Sequence, residues 1–322
     1  DMEFTNEKLR SLSELGSRGA FGAAMMEIGA KNDNVFVMTA DLGDATRVTQ
    51  FGRAYPDKYL NIGICEQNLV GTAAGMALGG RTVVATTFAA FASMRACEQV
   101  RTDMGYMKAN VKLIGADAGV VMGTLGNTHY AVEDIGCLRS LPYLTILSPA
   151  DGMEIVKATF AAVEMDGPVY IRLTGGRGLP IVYEHDFGYE IGKAVTLREG
   201  KDVTLIGTGS MVYYSLEAAK ILSSKGINAR VVDMHTIKPL DEGAVIKAAK
   251  ETGLIVTVEE HNIIGGLGAA VVEIVSGIGN APEQIRIGLP DSFGPIGTYE
   301  HQLKRYGLCA EDIAKKVIDH IK

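Results

Sequence analysis

Residues 59–91 read YLNIGICEQNLVGTAAGMALGGRTVVATTFAAF. A short strand near Tyr59–Ile62 gives way to an apolar, small-residue helix over Glu66–Leu78, and a buried strand follows at Thr82–Thr86. The same rhythm extends in both directions. Val35–Ala40 (VFVMTA) reads as a strand bounded by Asn34 and Asp41-Leu42-Gly43-Asp44, with a helix from about Ser17 to Ala30 ahead of it. Downstream come a helix across Ser93–Tyr106, a strand at Val111–Gly115 and a Gly-rich loop over Ala116–Asn127. A strand at Leu144–Leu147 then ends at Ser148-Pro149-Ala150-Asp151, a helix-start signal for Gly152–Glu164, and Val169–Leu173 is the next strand. Alternation of this kind argues a largely parallel sheet covered on both faces.

Between Gly175 and Gly192 the pattern lapses into Gly, Pro and mixed polar residues, which places a domain boundary there. A second alternation follows: strands Val203–Ile206 and Ala229–Val232 around a helix Val212–Ser224, then helix Glu242–Thr252, strand Leu254–Val258, helix Leu267–Ile278, strand Ile285–Ile287 and helix Ala310–Ile321. The expectation is an α/β protein of two domains, 1–190 and 191–322, each a mostly parallel sheet flanked by helices. A chain of 322 residues suits two domains of roughly 150 residues.

Composition narrows the function classes. With 47% hydrophobic and 21% charged residues the chain reads as globular, and its 39 glycines follow no three-residue period. A net charge of −7 argues against nucleic acid as a partner. The longest apolar runs are too short and too rich in small residues to span a bilayer, so no membrane association is expected. No basic segment followed by an apolar stretch suggests a signal peptide, and Asp1 ahead of Met2 reads as an appended residue. The four cysteines (65, 97, 137, 309) lack CxxC spacing and fit reduced thiols in a cytoplasm.

Several chemistries have no foothold. The six histidines show no HxxxH or HExxH spacing for zinc, and there is no GxSxG elbow. Gly207-Thr208-Gly209 resembles the start of a dinucleotide fingerprint, but the third glycine is missing. What remains is Glu66, a carboxylate straight after a strand and opening an apolar helix. In its plain reading it is an acid favoured by the helix dipole. Asp41, Phe88 and Phe91 also lie at carboxyl ends of strands, where ligands of open α/β sheets sit.

GICEQNLVGTAAGMAL, TTFAAF and GNTHYAVEDIG, in this order, resemble the C-terminal half of transketolases. Still closer is the likeness to the separate second subunit of a split transketolase. VVDMHTIKPLD, VEEHNIIGGLG and DSFGPIGTYEHQLKRYGL extend the resemblance over essentially the whole chain. It implies a pyrimidine-binding domain, a C-terminal domain that binds no cofactor, and thiamine diphosphate held between chains. The diphosphate and Mg2+ would belong to an N-terminal partner subunit through a Gly-Asp-Gly…Asn motif. Gly43-Asp44-Ala45 is the nearest approach to that motif here, and it fails, so no metal ligand is expected in this chain. An assembly of two copies of each subunit is implied.

By the same resemblance, Glu66 hydrogen-bonds the pyrimidine nitrogen and promotes the imino tautomer that takes the thiazolium proton. Phe91 stacks on the pyrimidine, Phe88 lines the pocket, Ile64 and Leu42 add apolar contact, and Asp41 is a polar neighbour of the cofactor. His129 matches a histidine facing the sugars, with a role in hydrogen bonding or proton transfer. Arg18 matches an arginine that holds substrate phosphate, a task suited to a bidentate guanidinium.

Departures cluster on the sugar side. Asp117 stands where transketolases carry a histidine, Leu125 where they carry an aspartate, and Met94 where they carry an aromatic residue. The arginine after the last strand is displaced; Arg172 and Arg177 are candidates, with Arg177 preferred. These changes point to a ketose donor that is a phosphate or a modified sugar such as a sulfosugar, with an aldose phosphate acceptor. Two alternatives stay open. One is a beta-type subunit of a 2-oxo-acid dehydrogenase or a deoxyxylulose-phosphate synthase-like enzyme. The other is a non-catalytic module that kept the fold.

Overall fold

The computed structural model describes residues 2–321; Asp1 and Lys322 lie outside the described residues. In chain order the main elements are α1 (Asn6–Lys31), β1 (Val35–Thr39), α2 (Thr49–Ala54), β2 (Tyr59–Asn61), α3 (Glu66–Leu78) and β3 (Thr82–Phe88). A helical run with wide, π-type turns follows over Phe91–Arg95, Cys97–Gln99 and Val100–Tyr106. Next come β4 (Val111–Ala116), α4 (Asp134–Leu138), β5 (Thr145–Leu147), α5 (Gly152–Glu164) and β6 (Val169–Arg172). The second half holds β7 (Val195–Arg198), β8 (Val203–Gly207), α6 (Met211–Ser224), β9 (Ala229–Asp233), β10 (Thr236–Lys238), α7 (Glu242–Glu251), β11 (Leu254–Asn262), α8 (Leu267–Val275), β12 (Glu283–Leu289), α9 (Tyr299–Arg305) and α10 (Ala310–Ile321).

Two sheets result, ordered β10-β5-β6-β4-β3-β1-β2 and β12-β11-β8-β9-β7. Within each, one edge strand alone runs antiparallel: β10 against β5 and β7 against β9. The central strands β3 and β4 are buried along their whole length, as expected of parallel strands covered on both faces. On one face of the first sheet α1 and α5 pack over Val37, Val84 and Ile171. On the other face, the core that holds Leu69, Val100 and Leu113 continues into Val245, Ala248 and Val271 of α7 and α8. One apolar core is therefore shared between the two halves of the chain.

The structure departs from the sequence expectation in a few places. Helix α1 starts eleven residues earlier, at Asn6, with Thr5 as its N-cap. It is broken at Gly16 (φ 72, ψ −175), and Ser17 and Arg18 open the second segment. The break is built for glycine: a Cβ there would lie 2.3 Å from the Gly176 carbonyl oxygen. Five short elements, α2, α4, β7, β10 and α9, have no counterpart in the sequence pattern. The most consequential is β10, which leaves the second half of the chain and closes the edge of the first sheet.

Candidate functional site

Strand order in the first sheet reverses between β1 and β3: the chain steps from β1 outward to β2, then crosses to β3 on the other side. The crevice beyond the carboxyl ends of such a pair is where open α/β sheets bind ligands. Asp41 and Leu42 follow β1, Ile64 and Glu66 follow β2, Phe88 ends β3 and Asp117 follows β4. Asn61 ties two of these ends together. Its side-chain oxygen accepts from the Asp41 and Gly63 amides at 3.0 and 3.1 Å, and its Nδ2 donates to Asp41 at 2.8 Å. Asp41 (φ 59) and Asp117 (φ 53) both hold the left-handed backbone conformation, a strain that concentrates at functional sites.

Glu66 is the first residue of α3 and only 2% exposed. Its Oε1 accepts a long bond from Thr87 Oγ1 at 3.4 Å, and its Oε2 accepts from Arg95 Nη1 at 2.9 Å. The same guanidinium lies 4.0 Å from the centre of the Phe91 ring. Nothing in the motifs singles out Arg95. The available signal is its spacing of four from Phe91, which puts both on one side of a helical turn. Phe88 and Phe91 meet with ring centres 6.0 Å apart, and His129 sets its ring edge-on to both, at 6.3 and 5.3 Å. Glu66, Phe88, Phe91 and His129 are thus contiguous. Ile64, 78% exposed, stands at the rim beside them in sequence.

Arg18, at the head of the second α1 segment, donates to the Ala45 carbonyl oxygen at 3.0 Å and stands 3.2 Å from Asp117 Oδ2. Asp117 is almost fully buried, and its carboxylate makes no hydrogen bond of good geometry among the described residues. Burial pushes its pKa up, with Arg18 opposing. Arg18 and Asp117 therefore form one unit. Leu125 and Arg177 do not join it. Leu125 is turned outward on the loop that carries His129, and Arg177 borders an open groove of about 510 Å³ shared with Arg47 and Arg53. Arg172 cannot reach substrate: it is fully enclosed, and its Nε donates to Asp134 at 2.8 Å.

The remaining motifs resolve plainly. A Cβ on Gly209 would lie 2.6 Å from Thr174 Oγ1 and 2.9 Å from Ser148 Oγ, so the Gly207–Gly209 turn is packed against the first sheet with no room for a phosphate. Among the described residues no three His, Cys, Asp or Glu side chains gather to hold a metal ion. Among them, too, no helix is long and apolar enough to cross a membrane.

Two mostly parallel-sheet domains, with a buried carboxylate opening a helix and a phenylalanine pair at the switch point, define the class: an α/β protein with a candidate ligand crevice at its strand ends. Known proteins make this particular. The transketolase pyrimidine-binding domain matches residues 13–177, and the transketolase C-terminal domain matches residues 192–313. A 6-deoxy-6-sulfo-D-fructose transketolase subunit of Clostridium sp. is 38% identical over 94% of this chain and 94% of its own. A subunit of the apulose-4-phosphate transketolase of Phocaeicola vulgatus is 39% identical over 96% and 98%. A solved structure described as a split-gene transketolase, an inactive β4 tetramer, superposes with a TM-score of 0.84 at 40% identity, over 94% of this chain and 97% of that one. The chain belongs to the transketolase family.

The residues present fit the pyrimidine end of thiamine diphosphate, the cofactor of that family. A flat, hydrogen-bond-donating group, the Arg95 guanidinium, already lies in contact with both the Glu66 carboxylate and the Phe91 face. An aminopyrimidine is equally flat, and its ring nitrogen, once it carries a proton, donates to the carboxylate as the guanidinium does.

Proposed function

We propose that this chain is the pyrimidine-side subunit of a split, thiamine diphosphate-dependent transketolase. It transfers a two-carbon ketol unit from a ketose to an aldose phosphate. The observation that carries this reading is the placement of Glu66, buried at the switch point of the first sheet and joined through Arg95 to the Phe91 ring, which in turn meets Phe88 and His129. Residues 1–190 act as the pyrimidine-binding domain and 191–322 as the C-terminal domain. An N-terminal partner subunit holds the diphosphate and Mg2+, the assembly contains two copies of each chain, and the enzyme is cytoplasmic.

Thiamine diphosphate supplies the electron sink for carbon–carbon cleavage when bound. This chain supplies orientation and proton handling. Glu66 holds a proton on the pyrimidine nitrogen, and its enclosure keeps water from competing for that bond. Phe91 stacks on the ring, while Phe88, Ile64 and Leu42 close its apolar surroundings and Asp41 offers a polar edge. His129 faces the sugar hydroxyls and carbonyl, and the Arg18–Asp117 pair lines the path of the substrate's far end, with Leu125 and Arg177 outside it.

The test is ketol transfer by this chain alone, by a diphosphate-binding partner alone, and by the mixture, with cofactor and Mg2+ over phosphorylated and sulfonated ketoses. Activity in the mixture only is expected. Glu66→Gln should fold and assemble yet lose at least about 100-fold in kcat, the scale of a positioned acid–base group. Wild-type turnover in that variant would refute the role given to Glu66.

A further inference from the structure

The second domain reaches the sugar side of the site through one buried acid. The loop carrying His129 is pinched at its base, two residues after Asp117, where Gly119 and Ala131 exchange backbone hydrogen bonds of 2.9 and 3.0 Å. Glu260, on β11 of the second sheet, inserts into this neck. Its Oε1 accepts from the Val120 amide at 2.8 Å, and its Oε2 accepts from Ser210 Oγ and Tyr299 Oη, each at 2.7 Å. Glu260 is fully enclosed, and Gly119 is shaped to it: a Cβ there would lie 2.2 Å from Oε1. Arg172 braces the other strand of the neck, its Nη2 donating to the Ala131 carbonyl at 3.1 Å and to the backbone carbonyl of Glu260 at 2.7 Å. At the loop's tip, Asn127 donates to the Gly294 carbonyl at 2.7 Å, and the Gly297 amide donates to Gly123 at 3.0 Å. Both tip contacts again come from the second domain.

We infer that Glu260 is a positioning residue: through the 119/131 neck it sets where His129 stands relative to Asp117, and so governs sugar turnover more than cofactor binding. Glu66 lies on another element and bonds neither to Glu260 nor to its three donors, while the loop meets Phe88 and Phe91 through the His129 ring and the small side chains of Ala118 and Ala131. The inference deepens the transketolase reading and rests on it for the sugar-side readout only.

Two substitutions separate reach from charge. Glu260→Asp keeps the carboxylate for Ser210 and Tyr299 but is one methylene too short to hold the Val120 amide as well. Glu260→Gln keeps the length. Its oxygen can stay on Val120 while its amide donates to the two hydroxyls, which can turn to accept. In the enzyme assembled from this chain and its partner, Glu260→Asp should lower kcat/KM for the ketose at least tenfold and leave the half-saturating thiamine diphosphate concentration within twofold. Glu260→Gln should stay within about threefold of wild type. In the chain alone, amide hydrogen exchange over residues 117–131 should speed up at least tenfold in Glu260→Asp, with 66–78 unchanged. Unchanged exchange and ketose kinetics in Glu260→Asp would overturn the inference, as would a parallel loss of cofactor binding. If Glu260→Asp does not assemble, Tyr299→Phe takes its place, with about a threefold loss in ketose kcat/KM expected and wild-type kinetics overturning. The exchange measurement needs no assumption about the reaction. Altered exchange in an assembly with no ketol transfer therefore indicts the transketolase reading and spares the role of Glu260.

Discussion

Arg95 occupies the two groups to which the proposed function assigns the pyrimidine ring, the Glu66 carboxylate and the Phe91 face. Cofactor and guanidinium therefore compete. A half-exposed ion pair and a cation–π contact are each worth roughly 0.5–1 kcal/mol, so Arg95→Ala should lower the half-saturating cofactor concentration about five- to thirtyfold. Titration of the assembled enzyme with thiamine diphosphate checks this; a weaker affinity would mean that Arg95 supports the cofactor instead. Asp117 makes a second prediction. Its carboxylate already faces Arg18 at 3.2 Å, so this pair attracts an anion less than a free arginine does, and a phosphate dianion suffers more than a sulfonate monoanion. Asp117→Asn should raise the ratio of kcat/KM for phosphorylated over sulfonated ketoses by about tenfold. An unchanged ratio from paired assays would remove Asp117 from substrate choice. At this scale Glu66, Phe88, Phe91 and His129 are legible because each follows a strand or sits in a distinctive motif. Arg95 and Glu260 are not, since their importance lies in partners 29 and 140 residues away.

Among the elements, α1 shows what a periodic reading misses. The residues ahead of Gly16 are mostly charged or polar, their helical spacing resting on Leu9, Leu12 and Leu15 alone, yet Leu9 and Leu12 are buried and the segment is helical. The break lets the second segment begin at Ser17 and Arg18, with the Ser17 amide donating to Gly176 at 3.1 Å. Gly16→Ala would meet both an unfavourable positive φ and the Gly176 carbonyl. It should destabilise the fold by about 2–4 kcal/mol, as read by denaturant unfolding; a change below about 0.5 kcal/mol would show that the loop simply yields. The long elements α3 and α5 fall on their expected residues because their composition agrees with their burial. Strands β7 and β10 escape because they lie outside the strand–helix alternation that located the equally short β2 and β5, and each forms antiparallel on a sheet edge supplied from elsewhere.

Across the whole molecule, the two halves meet through buried polar groups as well as a shared core. His261, on β11, is fully enclosed. Its Nδ1 donates to the Asn262 carbonyl at 2.7 Å, and its Nε2 accepts from the Gly136 amide of α4 at 3.2 Å. Both nitrogens are thus used by the neutral ring, and burial pushes its pKa down to about 4, although Asp134 and Glu259 lie 3.9 and 3.8 Å away and Arg172 is near. As pH falls from 6.5 toward 4, the unfolded chain takes up this proton first. The contribution of His261 is therefore full above 6.5 and is lost toward pH 4, up to about 3 kcal/mol. His261→Gln should be less stable than wild type at pH 7.5, with the gap narrowing by about 2 kcal/mol at pH 5. A gap that does not move with pH would contradict a neutral His261.

Strand β10 carries a consequence for how such a chain can be divided. The stretch 175–192 looks like a hinge between modules, yet β10 lies beyond it and hydrogen-bonds to β5 in front of it. Lys238, at the end of β10, reaches further back and donates to the Arg139 carbonyl at 3.0 Å. A protease cutting within 175–192 would sever the peptide and leave the two fragments clasped. A gene ending near codon 190 would make a sheet with one bare rim, open to pairing with its own copies.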